Sequence, residues 1–228
     1  MFAPDELFAL GDFEHRALFD GLEYAWEALP RIESYIKSAI RPGIHGRVMA
    51  NVTILGDVSI GEGTVVEPGV FINGPTIIGK NCEVRQGAYI RGSVLVGDRC
   101  IVGHSTEVKN SIFLDAAHAP HFNYVGDSIL GNEANLGAGT KLSNFKITVD
   151  KTVKIKVGER VFDTGLIKFG AILGDGVQTG CNAVLNPGTV VGKRSQIYAC
   201  SHVRGFVPPD TIVKLRQRFD LADVLPFE

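Results

Sequence analysis

The sequence lacks several features that mark large classes of protein. Only four cysteines occur, none in CxxC spacing, which argues against a zinc site and against a disulfide framework. Basic and acidic residues nearly balance, leaving a formal charge of -2, so no global field draws the chain to nucleic acid or an anionic membrane. No apolar run approaches the roughly 20 residues of a membrane span, and no charged-then-apolar signal segment opens the chain. A cytoplasmic protein is therefore expected. The phosphate-loop pattern GxxxxGK followed by Ser or Thr is also missing, so GAGTK at 137–141 is not read as a nucleotide cradle.

What the chain does have is glycine, 27 of 228 residues, and aliphatic side chains held in one phase. Every sixth residue from Val48 to Leu114 is aliphatic: Val48, Ile54, Ile60, Val66, Ile72, Ile78, Val84, Ile90, Val96, Val102, Val108 and Leu114. A period of six is neither helical nor that of a plain strand. It is the hexapeptide repeat of a parallel β-helix, in which each hexad buries one side chain on the axis. Gly61, Gly79, Gly97 and Gly103 follow their aliphatics directly, as a tight corner requires. Three residues later come small side chains such as Thr64, Cys82, Ala88, Cys100 and Thr106, so Cys82 and Cys100 are read as packed thiols.

Three regions follow. Residues 1–45 carry no hexads, and Phe13, Leu18, Leu22, Trp26, Leu29 and Ile36 recur at helical spacing, with Pro30 starting or breaking a helix. This helical segment is expected to cap the first coil or to pack on a neighbouring subunit. Residues 46–207 form the β-helix, of seven to eight coils, with an excursion at Asp115–Asn123 after which the phase resumes at Tyr124. A second excursion, Asn144–Gly165, contains Val153, Ile155 and Val157 alternating with Lys154 and Lys156 before Gly158-Glu159, the pattern of a protruding β-hairpin. The phase is expected back at Ile167, with Thr179 as its polar exception, and Pro208-Pro209 opens a tail, 208–228, with a basic stretch from Lys214 to Arg218.

Arg91 and Lys109 stand where glycine stands elsewhere and are one coil apart, so they stack roughly 5 Å from each other. Two stacked cations repel unless an anion lies between them, which points to a bound phosphate; side chains directed into solvent are the alternative.

VGHSTEVKNSIFLDAAHAPHFNYVGDSILGNEANLGAGT, residues 102–140, resembles the acetyltransferase domain of the bifunctional glucosamine-1-phosphate acetyltransferase/N-acetylglucosamine-1-phosphate uridylyltransferase. FDTGLIKFGAILGDGVQTGCNAVLNPGTVVG, residues 162–192, is closer to the variant attached to sugar-1-phosphate nucleotidylyltransferases. Together the resemblance spans about residues 20–210. It implies a left-handed β-helix, an exception to the usual right-handed crossover, assembled as a homotrimer with sites between subunits. It implies acetyl transfer from acetyl-CoA to an aminosugar 1-phosphate, glucosamine 1-phosphate foremost.

Carried over residue by residue, His121 in HFNYVGD matches the general base, and Arg91 and Lys109 match sugar-phosphate ligands. Tyr124 and Asn135 match contacts to the amino sugar, Asn144 a residue near the acetyl group, and Lys151 and Lys154 lysines of the hairpin. Ala138 matches the backbone facing the acetyl carbonyl, and Lys193 and Arg194 are assigned with it to the coenzyme. Phe145 departs from the pattern, standing where the bifunctional enzyme has Tyr. The basic tail, like the tails of the family, is a further candidate for the coenzyme phosphates.

Other readings carry expectations of their own. His118 and His121 could ligate a metal, but no third ligand lies nearby in sequence, and none is expected. A non-catalytic β-helix could bind a sugar phosphate or a partner protein. A nucleotidylyltransferase would need an α/β domain of some 200 residues, and only about 45 residues precede the ladder; EYAWEAL resembles the linker helix that follows such a domain.

Overall fold

The computed structural model describes residues 1–224. Its body is a three-sided solenoid of parallel strands, with nine strands on each of two faces and eight on the third. A strand of two to four residues crosses each face before the chain turns a corner. Register follows the hexads: Ile54 pairs with Ile72, and Ile72 with Ile90. Along the axis Ile60, Ile72, Ile78, Val84 and Ile90 are fully or almost fully buried. The expected mainly β parallel β-helix is present, with more coils than the hexad count gave. It also overruns the expected bounds, since Gly43–Ile44 pairs into the first face and Ile212–Val213 into the second.

The glycines after the axial residues act by close approach rather than by unusual backbone angles. A Cβ on Gly61 would lie 2.5 Å from the Gly79 carbonyl oxygen, and one on Gly79 2.5 Å from that of Gly97. The corner turns are made instead by residues such as Asn81, Arg99 and Ser105, at φ 54, 57 and 50°. Cys82 and Cys100 sit buried on one corner, as packed thiols.

Three local expectations fail, each for a geometric reason. First, Asp115–Asn123 is no excursion. His118–His121 is a regular strand of the second face, parallel to Ile101–His104. The corner at Lys109-Asn110 is one residue shorter than the Arg91-Gly92-Ser93 corner below it, so the phase slips by one. Phe113, not Leu114, pairs with Val96 on the axis, and Val125, not Tyr124, pairs with Val108. Ala117 and Ala119 fill inward positions where longer aliphatics were expected, which hides the ladder from a six-residue count. Second, Ile167 is 55% exposed, and the ladder returns at Ala171–Leu173, with Leu173 on Leu130. Thr179 does face inward, and its hydroxyl is satisfied by Thr140 at 2.8 Å and the Gly137 amide at 3.1 Å.

Third, the N-terminal segment does not cap the first coil. Pro30 lies in the 3₁₀ turn Ala25–Arg31, which covers most of EYAWEAL, and helix Ile32–Ala39 follows at once. Phe13, Leu18, Trp26, Leu29 and Ile36 form one cluster with Ile77, Leu95, Ile112, Ile129, Ile172 and Val190, which point outward from the first face. The segment is thus a side wall along the solenoid. The hairpin, Lys154–Val157 against Arg160–Asp163, joins the same wall rather than simply protruding. Val153 and Ile155 are buried, and Phe162 meets Phe2 edge-on at 5.0 Å. Among the described residues, the second and third faces carry no such cover.

Candidate active site

The solenoid has three columns of corners, and the candidate residues divide among them. At the corner where the third face turns into the first, Arg91, Lys109, Tyr124, Asn144, Phe145 and Lys168 line a cavity of about 290 Å³. Arg91 and Lys109 arrive there as the stacking argument requires, because Ile90 and Val108 are register partners. Gly126 is their neighbour one coil on; a Cβ there would lie 2.7 Å from both the Tyr124 hydroxyl and the Asn144 amide nitrogen. Only glycine lets those two side chains close the floor of the cavity.

The charge between the stacked cations is not left open. Arg91 donates to Glu107 Oε1 at 2.7 Å, which holds its guanidinium pKa above the ordinary value. Lys109 Nζ lies 3.5 Å from Asp127 Oδ2, and the buried Asp127 carboxylate also accepts from the Asn110 and Asn144 amides. The repulsion that implied a bound anion is therefore relieved by protein carboxylates, a correction to the sequence argument. Glu107 and Asp127 lie in strand and corner positions whose charges gave no signal of their own. The remaining positive charge comes from Lys168, which no motif singled out. It makes no ion pair among the described residues and is placed by an antiparallel bridge to Phe145. With two carboxylates against three cations, the cavity keeps a positive bias toward anions. Burial, followed by the Glu107 and Asp127 charges, raises the pKa of Tyr124, so its hydroxyl stays a donor.

His121 lies elsewhere. It ends the second face, at the corner opening the third, with its ring exposed and its amide donating to Asn123 Oδ1 at 3.1 Å. It pairs with His104, and its carbonyl accepts from Gly139 at 2.9 Å, which puts Ala138 one coil on at the same corner. Asn123 is the residue that sequence reading missed here. It is buried, and its amide donates to the Gly137 carbonyl at 2.8 Å, tying the His121 strand to the Ala138 corner. Its signal was its place in the small-residue column, where Thr106 precedes it. Between the two corners Tyr124 lies along the third face.

The other candidates scatter. Asn135 stands on the second face beside His118, outside the cation cavity. Lys151 caps the Phe145 ring at 4.7 Å, and Lys154 pairs with Asp150 at 3.3 Å on the hairpin. Lys193 and Arg194 occupy the third corner column, away from both groups. Arg194 is bound to Asp210 through two hydrogen bonds of 2.6 and 2.7 Å, and Lys193 donates to the Asp5 carbonyl of the side wall. The structure does not bring these two to the site. In the tail, Lys214 is exposed and lies 5.9 Å from the Tyr198 ring centroid. No described helix is long and apolar enough to cross a membrane.

The strands and the corner cavity together define a hexapeptide-repeat β-helix with a cation-lined site. Residues 72–192 match the family model described as GMPPB C-terminal domain, and the chain belongs to that family. It is 41% identical over 190 residues to the bifunctional protein GlmU of Methanococcus maripaludis, covering 83% of this chain and 46% of that protein. It is 37% identical over 153 residues to a bifunctional sugar-1-phosphate nucleotidylyltransferase/acetyltransferase of Sulfurisphaera tokodaii, covering 67% and 38%. The chain therefore spans less than half the length of these relatives. Among solved structures, an Arabidopsis UDP-N-acetylglucosamine acyltransferase aligns with 75% of this chain and 70% of its own, at 16% identity and a TM-score of 0.44.

Proposed function

We propose that the chain transfers an acetyl group from acetyl-CoA to the amine of an aminosugar 1-phosphate, with glucosamine 1-phosphate as the preferred acceptor. The observation that carries this reading is the cavity gathering Arg91, Lys109 and Lys168 beside Tyr124 and Asn144. The names of the similar proteins, which include acetyltransferases, support it. In this reading the cations hold the sugar phosphate, and the sugar lies along the third face with its amine toward the His121 corner. His121 takes a proton from the amine as the nitrogen attacks the thioester carbonyl. The C–S bond then breaks, the amide forms, and the thiolate leaves to be protonated. An imidazole, with an unperturbed pKa of about 6.5, suits that task near neutral pH. The acting form is a homotrimer in the cytoplasm, its sites completed by neighbouring copies.

The test is thiol release from acetyl-CoA in the presence of a panel of hexosamine 1-phosphates. Turnover with glucosamine 1-phosphate above the other sugars is expected; no thiol release with any of them would remove the reading. A β-helix that only binds a sugar phosphate is the second reading, favoured by one observation: His121 lies outside the cavity that holds the cations. Saturable binding of glucosamine 1-phosphate without thiol release would select it.

A further inference from the structure

The side wall leaves one end of a corner column uncovered. Along the column that carries Lys193 and Arg194, residues 5–13 run as a strap. Lys193 donates to the Asp5 carbonyl, the Asp175 amide to the Leu7 carbonyl at 3.1 Å, and the Asn132 side chain to the Ala9 carbonyl at 3.0 Å. Phe13 fills the corner at Gly97, where a Cβ would lie 3.1 Å from its ring. At Glu14-His15 the strap turns away. A cavity of about 560 Å³ opens there over Gly61 and Gly79, between wall and solenoid.

Each side of this cavity brings one cation and one carboxylate: Arg41 and Glu14 from the N-terminal segment, Lys80 and Glu62 from the solenoid. None of the four makes an ion pair among the described residues. The Arg41 guanidinium donates only to nearby backbone, the Ile40 carbonyl at 3.1 Å being the nearer acceptor. The four charges cancel, so the cavity favours neither a simple anion nor a simple cation. A ligand bearing both signs answers both pairs through charge-assisted hydrogen bonds. Ile77 and Ile78 add an apolar patch, and His15, His45 and Ser59 add hydrogen-bonding groups. Burial pushes the His15 pKa down against the charges of Glu14, Asp98 and Asp115, and its Nδ1 lies 3.2 Å from the Tyr35 hydroxyl. Apolar surface with a few convergent polar groups suits a hydroxylated ring that has a C–H face.

We infer that this cavity is a second small-molecule site, for an aminosugar phosphate, with the phosphate on Arg41 and Lys80 and the ammonium on Glu14 and Glu62. It lies on a different corner column from Arg91 and Lys109 and does not depend on acyl transfer. Because both sides contribute, a bound ligand ties the N-terminal segment to the first coils and stabilises the folded chain.

Calorimetry on the full chain with glucosamine 6-phosphate, glucose 6-phosphate and glucosamine separates the two charges. Glucosamine 6-phosphate should bind roughly tenfold or more tighter than either of the others and should raise the melting midpoint. Arg41→Ala should weaken it tenfold or more and leave glucosamine within twofold, which also shows that the variant is folded. Glu62→Gln should weaken it similarly and leave glucose 6-phosphate no weaker. Arg91→Ala, at the other cavity, should leave glucosamine 6-phosphate within twofold. Equal affinity for the two sugar phosphates would make the cavity a simple anion site and overturn the inference. Parent-like binding in both Arg41→Ala and Glu62→Gln would also overturn it. So would a tenfold loss from Arg91→Ala alone, which would seat the ligand in the cavity already described. Absence of thiol release with every hexosamine 1-phosphate would remove the proposed function and leave this site standing.

Discussion

His121 and Lys168 separate what a motif can reveal from what it cannot. His121 lies in a stretch whose spelling drew attention to it, although its setting is a regular strand and not a loop. An exposed imidazole at the end of a well-paired strand contributes little to folding, so its loss should register in chemistry. His121→Ala is expected to lower kcat by roughly 10²–10⁴ while the melting temperature stays nearly fixed, and His118→Ala should be much milder. Stopped-time thiol assays beside thermal melts read both quantities. Retention of more than about a third of the parent kcat would dismiss the general-base role.

Lys168 lies within the stretch 162–192 but the resemblance assigns it no role there, and it is the cavity cation with no carboxylate partner among the described residues. Arg91 and Lys109 are already paired, so part of their attraction for a phosphate is spent on Glu107 and Asp127. Lys168→Ala should therefore raise the KM for the sugar phosphate at least as much as Arg91→Ala or Lys109→Ala does. Charge-assisted contacts of this kind contribute about 1.5–3 kcal/mol, which is roughly tenfold or more in KM. Equal KM values for parent and Lys168→Ala would assign the phosphate to other donors.

At the scale of elements, the strand carrying His121 owes its position to Gly103. A Cβ on Gly103 would lie 1.8 Å from the Pro120 carbonyl oxygen, closer than any real contact. Backbone must move to admit it, and overpacking of this sort costs typically about 1–3 kcal/mol. Gly103→Ala should lower the melting midpoint by roughly 3–10 °C and reduce kcat together with stability, since the strand that shifts ends in His121. A scanning calorimetry trace matching that of the parent would show that the close approach is not required. The hairpin shows the same dependence between elements: Val153 and Ile155 give it a buried edge, while Lys154 stays outside and pairs with Asp150 at 3.3 Å.

At the scale of the whole molecule, the side wall decides which surfaces remain free. Residues 1–40 and the hairpin cover the first face, while the second and third faces and their corners stay open among the described residues. Phe122, Phe145, Ile147 and Val149 are exposed there at 56, 44, 96 and 99%. Sedimentation at micromolar concentration should give a homotrimer. Ile147→Asp with Val149→Asp should weaken it while leaving the folded chain intact by circular dichroism. A monomeric parent would remove the trimer and with it the shared sites.

The hexads by themselves determined the architecture, because one aliphatic in six can be buried only by coils that stack in register. They also put Arg91 over Lys109, since side chains at equal places in successive coils must stack. The local pattern of Val153, Ile155 and Val157 was enough for the hairpin. Other features came from contacts between residues far apart in the chain. A one-residue deletion at Lys109-Asn110 is invisible to a fixed period, so the strand of His118–His121 read as a loop. The outward aliphatics Leu95, Ile112 and Ile129 do not announce which segment will cover them, so the sequence offered the first coil or a neighbouring subunit for residues 1–45, and not this face. Glu107 and Asp127 reach the cavity's cations from a strand and a corner, and Lys168 lines the cavity from the far side of the hairpin. Only tertiary packing could decide that the stacked cations meet protein carboxylates, because the Coulomb interaction depends on separation in space and not on separation in sequence.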